Sequence, residues 1–216
     1  MGIVGLLATL AIPAFSSLAK SAALAQASQS ILDQLNLARS RAFATGKNQQ
    51  IRFYEYVDKD QAGSTPYFRA IQSFEQVIDG SSDNGKFTPV GPLVKLPTSV
   101  VIDDALIKAP LSGATATHGP FYALSTNDIT ENAEKRVANS VKSGTPAYQS
   151  YGFNFQASGS TDLDKNPTRE WYITVRHLAD NPNASSTAEE IVALRDYILI
   201  QIDPYTGVTR AFRKGN

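Results

Sequence analysis

The first 45 residues carry two successive patterns, and both indicate helix. No residue from Met1 to Ala19 is charged, and the side chains up to Phe15 are apolar or small. Beyond Phe15, apolar and polar positions separate onto two faces at the spacing of an α-helix. The apolar face carries Leu24, Ile31, Leu35, Ala38 and Ala42, and the polar face carries Gln26, Gln29, Asp33, Asn36 and Ser40. We predict one helix that begins near Met1 and ends at Thr45, where Gly46 follows.

The charge-free beginning of this helix has three interpretations. It could be a signal peptide, although no basic residue precedes it. It could be a buried core helix, or the inner part of a longer membrane helix, which the small residues Gly2, Gly5 and Ala8 favour. A helix of this length measures about 68 Å, so we expect its first half to project from the domain. Pro13 should bend that half or melt it locally.

The remainder of the chain alternates strand patterns with loops and predicts an α+β fold. Aromatic and β-branched residues mark the strands, which we place in QIRFYEYV, YFRAIQSFEQVI, LPTSVVI, YGFNFQ, REWYITVRHL and RDYILIQI. Two small helical insertions are expected, in DITENAEKRVANSV and STAEEIVALR. We expect the sheet to cover the apolar face of the helix with Ile51, Phe53, Tyr172 or Ile173, and Ile198 or Ile200.

The composition limits the kinds of binding site and metal site that this sequence can form. The 216 residues contain 20 basic and 20 acidic side chains, a balance that argues against a protein whose main role is to coat nucleic acid. Cysteine is absent, which excludes disulfides and thiolate metal sites within this sequence. The two histidines, His118 and His177, have no spacing typical of a metal site.

Two further candidates for ligand binding occur near the C-terminal end. Asp162 and Asp164 have the spacing of calcium ligands, but the glycine and glutamate of a calcium loop do not follow, so a solvated turn is expected. Arg210, Arg213 and Lys214 form a basic tail, which is either a solvated strand end or a contact for DNA phosphates. We expect no catalytic residue, no cofactor site and no metal site.

The beginning of the chain resembles the type IV pilin and type II secretion pseudopilin superfamily. The stretch MGIVGLLATLAIPAF is similar to the later part of the N-terminal motif of that family, with Gly5 and Pro13 at the matching places. The family motif extends further upstream, with a cleavage site, a methylated N-terminal Phe and a buried Glu. We therefore expect the native chain to begin earlier, and no residue here can stand in for that Glu or that cleavage site.

A second group of segments narrows the resemblance to minor pseudopilins of the GspH/FimT type. ILDQLNLARSRAFATGKNQQIRFYEY is similar to the helix end and first strand of that type, with Ala38 and Arg39 as the matching pair. YGFNFQASGS and YILIQIDPYTGVTRAFRKG are similar to its strand-and-glycine segment and its closing hairpin. The longer middle part is similar to the pilin-like proteins of the Verru_Chthon cassette, type D.

The resemblance implies a pilin-like fold and a structural function in a filament. Residues 1–20 would lie in the inner membrane and later in the filament core, and residues 21–216 would form a periplasmic head. The helix residues expected to contact lipid and neighbouring pilins are Gly2, Gly5, Leu6, Ala8, Leu10, Ile12, Pro13 and Phe15. Two alternatives stay open: a minor pilin that captures DNA with its basic tail, and a soluble α+β enzyme.

Overall fold

A long N-terminal helix opens the fold. The computed structural model describes residues 2–57, 65–103, 121–125, 128–130, 148–165, 171–181 and 188–214, with side chains from residue 18 onward. Helix α1 spans Gly2–Thr45, 44 residues, or about 66 Å. It ends where the sequence predicts, because Gly46 takes a left-handed φ of 67° and its N–H bonds to the Ala42 carbonyl at 3.0 Å.

A ten-stranded sheet makes up most of the remaining structure, and all of its strand pairings are antiparallel. The strands are β1 Gln49–Tyr56, β2 Tyr67–Gln76, β3 Phe87–Pro89, β4 Val94–Lys95, β5 Val100–Ile102, β6 Tyr122–Ala123, β7 Gln149–Phe155, β8 Trp171–His177, β9 Tyr197–Ile202 and β10 Thr209–Arg213. A short helix, α2 at Ala188–Ala193, lies between β8 and β9. The mixed α+β class predicted from the sequence is therefore found.

The order of the strands shows how the chain builds this sheet. It runs β10-β9-β8-β5-β2-β1-β7-β6, while β3 and β4 pair with β2 on the side that β5 also occupies. Three short strands thus succeed one another along β2. The last of them, β5, joins β2 to the β8–β9–β10 meander through the pairs Phe68–Ile102 and Val100–His177.

The main core lies between α1 and one face of the sheet. The helix contributes a fully buried stripe, which contains all five positions predicted for the apolar face and also Ala27, which was not predicted. The stripe consists of Leu24, Ala27, Ile31, Leu35, Ala38 and Ala42. The sheet contributes all of the expected core residues, with Ile173 rather than Tyr172, and with both Ile198 and Ile200. The five residues predicted for the polar face are all exposed.

The opposite face of β1 and β2 carries a second, smaller core. Tyr54, Ala70, Phe74 and Ile129 are buried there. Arg52 is also on this face, 1% exposed, with its guanidinium 5.3 Å from the centre of the Phe74 ring. Because β1 is buried on both faces, all eight of its residues are buried, although the sequence alternates as in a half-exposed strand.

Several predicted elements can be compared directly with the structure. The six predicted strands correspond to β1, β2, β5, β7, β8 and β9, and STAEEIVALR contains α2. Of the other predicted helix, residues 131–141 lie outside the described residues, as does the loop at 109–120. The backbone stays helical through Pro13, so the local melting expected there is not found.

Candidate functional site

The sheet and the part of α1 that packs on it form the head, and the described side chains of α1 show where this packing starts. Among the side chains described from residue 18 onward, Leu24 is the first that is fully buried. Before it, Leu18 is 66% exposed, and Ala19 and Lys20 are also exposed. The backbone continues as helix from Leu18 back to Gly2. This segment would measure about 24 Å, and it coincides with the charge-free part of the sequence.

The expected assembly residues all fall in this segment. They are Gly2, Gly5, Leu6, Ala8, Leu10, Ile12, Pro13 and Phe15, which the structure places on one continuous helix, while their side chains lie outside its description. Among the side chains that are described, no helix is long and apolar enough to cross a bilayer.

Three segments that carry the pseudopilin resemblance meet at one place in the head. Arg39 of α1 donates from Nε to the Thr206 carbonyl in the β9–β10 turn, at 2.9 Å. The same side chain lies near Gly159, in the turn after β7, where a Cβ added to the glycine would be 3.8 Å from Arg39 Nε. Gly207 completes the junction, because a Cβ there would lie 2.1 Å from the Gly159 carbonyl and φ is 67°. Both this close approach and the positive φ exclude a residue larger than glycine at position 207.

The β9–β10 turn is itself tightly bonded. The Asp203 carboxylate accepts hydrogen bonds from the Tyr205 N–H at 2.9 Å and the Thr206 hydroxyl at 2.7 Å. The Thr206 bond is the main reason why the pKa of Asp203 is lowered. The Pro204 carbonyl accepts from both the N–H and the hydroxyl of Thr161. These bonds fix the turn against the segment that follows β7.

Strand β10 runs beside the helix and is attached to it at both ends. Thr209 donates from its hydroxyl to the Asn36 side chain at 3.1 Å. At the other end Arg213 Nη2 donates to the Ser21 hydroxyl at 2.8 Å. The bonded helix residues are fifteen positions apart, so β10 reaches the level at which α1 leaves the head.

The basic tail does not form one cation cluster. Arg213 makes a bidentate ion pair with Asp196, from Nε to Oδ1 at 3.1 Å and from Nη2 to Oδ2 at 2.5 Å. This hydrogen bonding raises the pKa of Arg213. Lys214 donates to the carbonyls of Val192 and Leu194 at the end of α2. Arg210 points to the opposite face of the sheet from Arg213, because an odd number of positions separates them on one strand.

The other sequence candidates also take part in the structure of the head. The Asp162 carboxylate accepts from the backbone N–H and the side-chain amide of Asn154, at 2.8 and 2.7 Å, and burial raises its pKa. The carbonyl of Asp164 accepts from the Trp171 indole at 2.9 Å. Within the described ranges, no three acidic or histidine side chains converge as metal ligands.

His177 is 3% exposed and neither ring nitrogen is hydrogen-bonded to a described residue, while His118 lies outside the described residues.

Sequence reasoning missed two buried arginines. Arg176 pairs with Asp103 at 2.6 Å, and neither side chain is exposed to solvent. Arg52 bonds to Gln50 at 2.6 Å and to the Ser125 carbonyl at 3.0 Å. Arg52 lies between Ile51 and Phe53 on its strand, and Arg176 follows Val175, so their positions within apolar strand segments were the available signal.

Comparison with protein-family models, curated proteins and solved structures gives no match to this chain.

Proposed function

We propose that this chain is a structural subunit, a minor pilin or pseudopilin, of a filament related to type IV pili or type II secretion. It assembles through the N-terminal half of α1. Before assembly that half lies in the bacterial inner membrane and the head lies in the periplasm. In the filament, the same half packs against the helices of other pilins.

One observation carries the proposal. In a single helix of 44 residues, full burial of the described side chains by the head begins at Leu24, those from Leu18 to Lys20 are exposed, and the residues before Lys20 are free of charge. An apolar helical segment exposed to water is unfavourable, at about 25 cal/mol for each Å² of apolar surface. Lipid would cover this segment first, and neighbouring helices afterwards. Among the described side chains, the apolar stripe on α1 that the sheet covers begins at Leu24, one turn after Lys20.

The residues of this segment suit helix association. In lipid, helices associate by close packing rather than by expulsion of water, and small residues permit that approach. Gly2, Gly5 and Ala8 are spaced three apart, so they lie along one side of the helix. We expect this side to contact the neighbouring helix in the filament.

A cysteine cross-link tests the proposal, and the 216 residues contain no cysteine that would interfere. Ala8→Cys places a thiol on the expected contact side, and Ser82→Cys places one on the exposed turn between β2 and β3. Oxidation of cells that express the full chain should give covalent multimers with Ala8→Cys and none with Ser82→Cys. Recovery of the parent chain in the soluble cytoplasm, without cross-links, would overturn the proposal and favour the enzyme alternative.

A further inference from the structure

The last strand of the sheet presents an open edge. Strand β10 pairs with β9 and lies at the end of the strand order. Asp203 donates its N–H to the Val208 carbonyl, and Lys214 donates its N–H to the Tyr197 carbonyl. Backbone groups alternate in direction along an antiparallel strand, so the even-numbered residues of β10 bond to β9. The groups of Thr209, Ala211 and Arg213 point away from the sheet, and the described part of the chain supplies no partner for them.

This edge has few of the features that protect sheet edges from pairing. Prolines, bulges and free charges are the usual devices. Strand β10 contains no proline, and its register with β9 is continuous. Of its two cations, Arg213 is engaged by Asp196, and Lys214, which directly follows the strand, is engaged by the end of α2. The exposed residues of β10 are Arg210, Ala211, Phe212 and Arg213.

The remaining side chains define what could pair there. Arg210 is exposed and has neither a hydrogen bond nor an ion pair to any described residue. Phe212, 48% exposed, lies two positions further and therefore on the same face. An added strand would place one side chain opposite each of them. A carboxylate opposite Arg210 and an apolar group opposite Phe212 give the complementary pattern.

We propose that the β10 edge binds an extended acidic–apolar segment of another protein by strand addition. Outward backbone groups would supply hydrogen bonds, and Arg210 and Phe212 would select the sequence.

A second copy of this chain is a poor occupant of the β10 edge, an inference that rests on the proposed function. Antiparallel pairing of two β10 strands requires a two-fold axis perpendicular to the sheet, which would point the two α1 helices in opposite directions. Both helices could not then enter one membrane in the same orientation.

A designed peptide tests the edge on the full chain in detergent micelles. The probe is Val-Thr-Leu-Thr-Glu-Thr-Val, whose Glu and Leu lie opposite Arg210 and Phe212 in an antiparallel register. The control probe has Lys in place of Glu. Fluorescence anisotropy should show roughly tenfold weaker binding of the control, because an attractive pair becomes a repulsive one. Equal binding of the two probes, or no binding, would overturn the proposal.

Amide hydrogen exchange gives a second, independent readout. On binding of the acidic probe, the amides of Thr209, Ala211 and Arg213 should gain protection. The amides of Arg210 and Phe212 already bond to β9 and should change little. Protection that ignores this alternation would overturn strand addition.

Three variants complete the test. Ala211→Pro removes an outward N–H and leaves the bonds to β9 in place, so probe binding should fall roughly tenfold. Ala211→Val keeps the N–H and should bind like the parent. If Ala211→Pro does not fold, Arg210→Glu decides, because it should reverse the preference to the Lys probe. Concentration-dependent dimers of the parent with the same alternating protection would overturn the choice of occupant. Failure of the helix cross-link leaves these binding results unchanged, so the two proposals can fail separately.

Discussion

The two halves of α1 are one continuous helix, yet they differ in what surrounds them. From Leu24 to Ala42, a stripe of small and branched side chains is fully buried against the sheet. Around Leu18, the side chains are exposed, and the sequence before them has no charges. Periodicity is clear only in the first case, because only there does the sequence separate apolar and polar positions onto two faces of the helix. A helix that is apolar all round has no such pattern and points to an environment outside the head.

Removal of a stripe side chain should have the largest effect. Leu35 is fully buried, so Leu35→Ala should lower the free energy of unfolding by about 3–5 kcal/mol, through lost burial and the cavity left behind. Leu37, 43% exposed, is the matched control. Leu37→Ala should cost well under half as much in urea unfolding of the full chain. Equal losses would contradict the assignment of the buried face.

Overfilling the stripe should have the next largest effect. Ala38 has no exposed surface, and a leucine there must displace the sheet side chains packed against it. Ala38→Leu should cost about 1–3 kcal/mol. The exposed Ala44 provides the same substitution without crowding, so Ala44→Leu should be neutral in the same measurement. A neutral Ala38→Leu would mean that the helix is loosely packed on the sheet.

Loss of the bond between the helix and the β9–β10 turn should have a smaller effect. Arg39→Ala removes the hydrogen bond to the Thr206 carbonyl and should cost about 1 kcal/mol, because the arginine is partly exposed. Gln26→Ala on the exposed face is the control. If Arg39→Ala unfolds at the same urea concentration as the parent, the junction does not stabilise the head.

The smallest effect on the stability of the head is expected from the exposed half. Leu18→Ser should change the free energy of unfolding by less than about 0.5 kcal/mol, as at other exposed sites. The same variant should reduce recovery of the chain in the membrane fraction. A large loss of head stability would show that Leu18 belongs to the head, and the comparison of the two halves would fail.

The sequence predicted the parts of the fold that have a clear period. The buried stripe of α1 and the six predicted strands correspond to observed elements. Strands β3, β4 and β6 have two or three residues, too few to show alternation, and the equally short β5 was predicted only as part of the longer apolar stretch LPTSVVI. The position of β5 between β2 and β8 depends on pairings between distant segments, which a local pattern cannot reveal.

The candidate sites were less predictable, for a different physical reason. Counting cations in the tail suggested a cluster, but strand geometry separates Arg210 from Arg213, and Asp196 lies close enough to neutralise the latter. The placement of Arg210 and Arg213 on opposite faces could have been predicted from their spacing. The ion pair of Arg213 with Asp196 could not, nor could the burial of Arg176 beside Asp103, since both depend on tertiary contacts.

The buried stripe on α1 also determines how the head would respond to tension. A pull applied at Gly2 acts along the helix axis, parallel to the surface that Leu24, Ile31, Leu35 and their neighbours share with the sheet. Detachment by sliding must move all of these interlocked side chains at once, whereas peeling would release them singly. Tension along the helix would therefore load the contact between α1 and the sheet in shear, the direction in which this contact resists separation most strongly.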